Sequence, residues 1–153
     1  MTTGSQPEVS ELYAMAVEMA DRVSERRGQA NQFYLTLQTL LLGAPALIEV
    51  VGKGGSIEPM RGFLLAMVGA IVSVVWWLQL RSYRDLNRSK FEVINKIEAD
   101  NFTIKPFTDE WTYLQKDKIP FWKGRYAELG AVERVIPVVF LGMNIVLAVM
   151  VWV

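Results

Sequence analysis

The sequence predicts an all-α membrane protein with three transmembrane helices, an amphipathic N-terminal helix and a long second helix that extends into the cytoplasm. Three observations carry this expectation. Phe33–Val51, Phe63–Leu80 and Val135–Val153 are apolar runs of 18 or 19 residues, close to the roughly 20 that a helix needs to cross ~30 Å of hydrocarbon. Glu49 is the single charged residue in all three. The runs also take up over a third of a 153-residue chain that is 52% hydrophobic, a share that soluble proteins seldom commit to such stretches. The expected order is a cytoplasmic N-terminal helix (1–32), a first span (33–51), an external loop (52–62), a second span (63–80), a cytoplasmic extension with an aromatic-rich connection (81–134) and a third span (135–153).

Residues 1–32 do not form a signal peptide. Glu8, Glu11, Glu18, Asp21 and Glu25 stand where a positive region and an apolar core belong, so the first apolar run is a retained anchor. Val9, Leu12, Tyr13, Ala16, Met19, Ala20 and Val23 recur at helical spacing, with Ser5 or Ser10 as the capping residue. Because the polar side of this helix is acidic, it is expected to pack on the cytoplasmic part of the protein rather than on a membrane surface.

Basic residues orient the spans. Arg22, Arg26 and Arg27 precede the first, Lys53 and Arg61 lie in the 52–62 connection, and the other eleven of the sixteen fall in 81–134. The positive-inside rule then places the N-terminus and the long connection in the cytoplasm, and the Gly-rich turn Gly52–Ser56 and the C-terminus outside. Arg26 and Arg27 mark the inner border of the first span. Trp76 and Trp77, followed by Arg81, are the expected interface anchors of the second.

Phe63 through Ala99 contains no proline and one glycine, Gly69. Leu86, Phe91, Val93, Ile94 and Ile97 continue the helical spacing beyond the apolar run. A single helix of about 37 residues, roughly 55 Å long, is expected here. The following stretch holds Phe102, Pro106, Phe107, Trp111, Tyr113, Pro120, Phe121, Trp122 and Tyr126. That many aromatics need a surface to pack on, whether the long helix, the N-terminal helix or a neighbouring subunit. Thr108-Asp-Glu-Trp opens a short helix with acids in its first turn. Pro137 falls near the start of the third span, where its missing N–H costs little.

Composition narrows the function. A formal net charge of zero leaves no basic excess, so no nucleic-acid partner is expected. Without cysteine or histidine the chain has no thiolate chemistry, no Cys-based zinc site and no histidine base. No EF-hand spacing and no glycine-rich phosphate loop is present. The chain is therefore not expected to be an enzyme, to hold a metal or to need a cofactor.

The polar residues of the spans are the candidate sites. Glu49 has two readings, one at interfacial water and one on an ion path. Gln38, Thr36, Thr39, Ser73, Gln79 and Asn144 suit interhelical hydrogen bonds of roughly 0.5–2 kcal/mol each, and in a ring of copies each would become a polar girdle. Arg81, Arg84 and Arg88 form one stripe with Asp85 beside it, and Glu92 and Lys96 form an i,i+4 pair. The stripe either anchors to anionic headgroups or rings a cytoplasmic vestibule. The candidates for a pore or vestibule are thus Glu49, Arg81, Arg84, Asp85, Arg88, Gln38 and Asn144. Three spans enclose no water-filled path of their own, so permeation needs several copies in a closed ring. Gly43, Ala44, Ala46, Gly69, Ala70 and Gly142 permit close helix contacts.

Several stretches resemble one family. They are Glu11-Leu-Tyr-Ala-Met-Ala-Val-Glu-Met-Ala-Asp-Arg-Val-Ser-Glu-Arg-Arg27, Ala30-Asn-Gln-Phe-Tyr34, Leu80-Arg-Ser-Tyr-Arg-Asp-Leu-Asn-Arg-Ser-Lys-Phe-Glu-Val-Ile94, Pro106-Phe-Thr-Asp-Glu-Trp111 and Val132-Glu-Arg-Val-Ile-Pro137. Together they resemble the RipA family of octameric bacterial membrane proteins, which includes the small membrane accessory protein of type VI-B CRISPR systems. The likeness runs from about Glu11 to the third span, and Arg-Ser-Tyr-Arg-Asp-Leu-Asn is its most specific part. It implies a homo-octamer in the inner membrane with a central passage and a cytoplasmic vestibule. It also implies a role in antiviral membrane depolarisation alongside a defence-system partner, or in envelope physiology as a non-conducting scaffold. The Arg-x4–6-His nuclease motif discussed for some relatives cannot be complete in a chain without histidine.

Overall fold

The computed structural model describes residues 6–51, 58–116 and 129–152, with side chains at 8–44, 58–113 and 133–152. The described residues form four α-helices and no strand: α1 (Gln6–Val51), α2 (Pro59–Asn101), α3 (Pro106–Lys116) and α4 (Leu129–Met150). α2 is the long unbroken helix expected of the stretch after Phe63. Its 43 residues correspond to about 65 Å at 1.5 Å per residue. α1 is longer still, at 46 residues. The N-terminal amphipathic segment and the first apolar run are thus one continuous helix.

Two helices contain a stretch long and apolar enough to cross a membrane among the described residues, α2 and the part of α4 from Glu133 to Met150. The first expected span, Phe33–Val51, lies in α1, but the side chains of 45–51, Glu49 included, fall outside the described ones. So do the Gly52–Ser56 turn and Pro120, Phe121, Trp122 and Tyr126 of the aromatic connection.

α1 is described from Gln6, so Ser10 lies inside the helix, and Ser5, the other capping candidate, is outside the described residues. α4 begins at Leu129, which places Pro137 inside it. There Pro137 cannot donate a backbone hydrogen bond to the preceding turn, yet its side chain is fully buried.

The chain divides into two compact units. Unit 1 comprises Met1–Arg27 and Ser82–Leu129. Among the described residues Ala20, Val23, Ile94 and Glu98 are buried in it. Tyr13 packs against Phe102 and Phe107, and Phe91 against Phe107, at ring separations of 5.1, 6.4 and 5.8 Å. Part of the expected amphipathic face of α1 therefore turns inward, at Tyr13, Ala20 and Val23. Leu12 and Met19 do not; they stay about half exposed.

Unit 2 comprises Gly28–Arg81 and Gly130–Val153. Here α1 and α2 run antiparallel, since Tyr34 stacks on Trp76 while Gln38, one turn further along α1, bonds Ser73 and Gly69, earlier in α2. α4 packs beside them, with Phe140 against Trp76 and Trp152 against Phe63. Ala66, Trp76, Leu80, Gln38, Ser73 and Asn144 are buried in this unit.

Candidate functional site

A closed polar network sits inside unit 2. The Gln38 amide nitrogen donates to the Gly69 carbonyl and to Ser73 Oγ, both at 2.7 Å. The Ser73 hydroxyl donates to the same carbonyl at 2.9 Å. Asn144 Nδ2 donates to Gln38 Oε1 at 3.1 Å and to the Phe140 carbonyl at 2.8 Å. Three helices are thus tied by amide and hydroxyl groups, and both amide nitrogens use two acceptors. The absence of a side chain at Gly69 leaves room for Asn144 to cross there. A Cβ at that position would land on the Asn144 amide group. Gln38 and Asn144, candidates for a pore lining, direct these polar atoms at each other within one chain.

Towards the Arg81 end of α2, two more pairs extend the contacts. Trp76 Nε1 donates to Asn31 Oδ1 at 3.0 Å, and the Tyr34 hydroxyl to Gln79 Oε1 at 2.7 Å. The Tyr34 and Trp76 rings stack at 5.8 Å. Trp76, expected at the lipid interface, has no exposed surface. An indole N–H satisfied by Asn31 can be buried without penalty. Trp77 is the partly exposed member of the pair, and the Arg81 guanidinium lies 5.9 Å from its ring centre.

The outer surface of unit 2 is not uniform. On the second span the exposed residues are apolar: Leu64, Met67, Val68, Ile71, Val74, Val75 and Leu78. The described surface of α4 from Val135 to Met150 is likewise apolar, interrupted only by Gly142. α1 differs. Gln32, Thr36 and Thr39 are exposed and spaced i, i+4, i+7, which places them on one face, with Gly43 four residues further on. The Thr39 hydroxyl donates to the Leu35 carbonyl at 2.8 Å, a self-satisfaction that lets a threonine sit in a low-dielectric setting. This face is separate from the one that carries Gln38. A groove of about 440 Å³ between α2 and α4, lined by Ala66, Met67, Ala70, Ile145 and Ala148 among others, offers apolar space without chemistry.

The remaining candidates are scattered. Arg26 is exposed and Arg27 half-buried. Arg84 is half-buried, while Asp85 and Arg88 are exposed. Arg88 pairs with Glu92 at 3.3 Å, so Glu92 is engaged one turn earlier than the Glu92–Lys96 pairing expected from spacing.

Unit 1 holds a site that the sequence reasoning missed. Glu98 is wholly buried. Its Oε1 accepts from the Tyr13 hydroxyl at 2.8 Å and the Phe107 N–H at 3.1 Å. Oε2 accepts from the Thr108 N–H at 3.0 Å and the Thr108 hydroxyl at 2.7 Å. The carboxylate caps α3, whose first residue is Pro106. Lys105 has no side-chain acceptor for the free N–H groups of that helix. Burial pushes the Glu98 carboxyl up, but the bonds from Thr108, Phe107 and Tyr13 outweigh it and hold the group below its ordinary 4.5. Tyr13 is pushed up to about 12, first by burial and then by the hydrogen bond to Glu98 and its charge. The signal was present: a helix opening Lys-Pro-Phe-Thr has no cap of its own and must find one elsewhere.

Among the described residues no group of three or more acidic side chains could hold a metal ion. What the two units offer is scaffolding: a self-satisfied bundle in one, a carboxylate clasp in the other, and one polar face on α1. No curated protein and no solved structure matches the chain. The family model of the octameric membrane protein family (8xMP) matches residues 10–153, and the chain belongs to that family.

Proposed function

We propose that the chain assembles as a homo-octamer in the bacterial inner membrane and forms a pore that depolarises it, as an effector of antiviral defence triggered by a partner protein. The observation that carries this reading is the exposed file Gln32, Thr36 and Thr39 on α1, in a unit whose other described span surfaces are apolar. Polar side chains facing lipid gain nothing, whereas eight copies of that file around an axis would wet a passage. Gln38, Ser73 and Asn144 are consumed inside each copy, so the path runs between copies and not through one. In this reading Phe33–Val51 crosses the membrane as well, and the bases of 81–134 put that segment in the cytoplasm. The protein performs no catalysis.

A non-conducting scaffold for envelope or lipid homeostasis is the second reading. The apolar surfaces of α2 and α4 favour it, because they serve a lipid-embedded frame equally well.

Purified octamers in planar bilayers separate the two. Conductance is expected, and Thr36→Lys or Thr39→Lys should shift the reversal potential towards anion preference. Full-sized octamers that stay silent at every voltage, in cells whose membrane potential also survives phage infection, would leave the scaffold as the function.

A further inference from the structure

Unit 1 exposes an apolar stripe on α1. Leu12, Met15 and Met19 lie at i, i+3 and i+7 and are each about half exposed. The inward side at this level is marked by Tyr13 and Ala20, about 80–100° round from Leu12, and the stripe itself runs into burial only at Val23, four residues after Met19. Lipid is a poor cover for the stripe. Gln6–Asp21 carries four acids and no base, so anionic headgroups repel it. α3 and its approach expose a second patch. Phe107 and Thr108 are tied inward to Glu98, whereas Ile104, Trp111 and Tyr113 are 79%, 54% and 70% exposed.

We propose that Leu12, Met15 and Met19 of one copy receive Trp111 and Tyr113 of the next copy around the ring. The family is octameric, and a cyclic ring closes by joining two different patches of the same chain, repeated at every interface. The two patches are chemically matched. Methionine thioethers pack favourably on aromatic rings, and tryptophan and tyrosine are the side chains that most often anchor interfaces. Leu86 and Val93 on α2 are also exposed, but they bring no such complement. The inference rests on the octamer of the proposed function and not on ion conduction.

The chain lacks cysteine, so introduced thiols report cleanly. Met15→Cys combined with Trp111→Cys, oxidised in native membranes, should give a ladder of covalent multimers up to the octamer, with neither single variant laddering. Met15→Glu should reduce the assembly below octamer size while the chain still inserts. The inference is overturned if the double variant is octameric by native size yet gives no ladder. Dimers from Met15→Cys alone, which mean a two-fold contact, overturn it too, as does a ladder from Met15→Cys with Val93→Cys. Wild-type chains that run as monomers in mild detergent would sink the ring itself, a failure distinct from a misplaced interface.

Discussion

Glu98 and Gly69 show how much of this protein depends on single side chains. The Glu98 carboxylate joins α1, through Tyr13, to the start of α3. Replacing it with glutamine removes the charge from four hydrogen bonds and should destabilise unit 1 by about 2–3 kcal/mol. The pH dependence has two arms. Glu98 titrates below its ordinary 4.5 when folded, so its contribution is complete above that value and is lost as pH falls through the lower folded pKa. Tyr13 is raised from 10.0 to about 12, so its contribution is complete below 10.0 and is lost as pH rises through 12. Thermal melts between about pH 3 and 12 should show a flattened acid arm for Glu98→Gln and a flattened alkaline arm for Tyr13→Phe. An alkaline arm that persists in Tyr13→Phe would move its origin away from this clasp. At Gly69 the argument is steric. Gly69→Ala drives a methyl group into the Asn144 amide and should cost about 1–3 kcal/mol. Adding Asn144→Ala should then cost less than it does alone, a non-additivity that a double-mutant cycle in detergent would measure.

At the scale of the element, α2 was legible because helical spacing of apolar residues continues from Phe63 to Ala99 without a proline to break it. α3 was legible from the acids after Thr108, although it starts two residues earlier, at Pro106. α1 was half legible. Its periodicity announced a helix before Val23 and its apolar run another after Phe33, but nothing in Arg26-Arg-Gly-Gln marked that the two join. The two adjacent tryptophans part for a physical reason. Trp76 and Trp77 are adjacent and therefore point about 100° apart on a helix, so one of them had to leave the lipid-facing side. Asn31 on α1 decides which, by accepting the Trp76 indole N–H. Trp76→Ala should accordingly cost about 3–5 kcal/mol, while Trp77→Ala, which loses the Arg81 contact, should change stability little. Equal losses on unfolding in detergent would show that the pair shares its burial after all. The Gln32, Thr36 and Thr39 face was also present in the spacing, yet invisible there, because Gln38 is as polar and only the packing separates its inward amide from the outward file.

For the whole molecule, the number of spans fixes what a ring of copies can enclose, and parity tests it. α2 and α4 each hold a stretch able to cross a membrane. If α1 crosses as well, Ser24 and Trp152 lie on opposite sides; if it does not, they lie on the same side. With no native cysteine, Ser24→Cys, Ser89→Cys and Trp152→Cys can each be probed in intact cells with a membrane-impermeant maleimide. The eleven bases of 81–134 predict that Ser89→Cys is protected, and three spans predict that Ser24→Cys is protected with it while Trp152→Cys is labelled. Labelling of both Ser24→Cys and Trp152→Cys would mean two spans. α1 would then have to lie outside the hydrocarbon, and its polar file could no longer line a passage. Protection of Ser24→Cys joined to labelling of Trp152→Cys puts α1 across the bilayer, where eight copies of Gln32, Thr36 and Thr39 have either an aqueous axis or a neighbouring subunit to face.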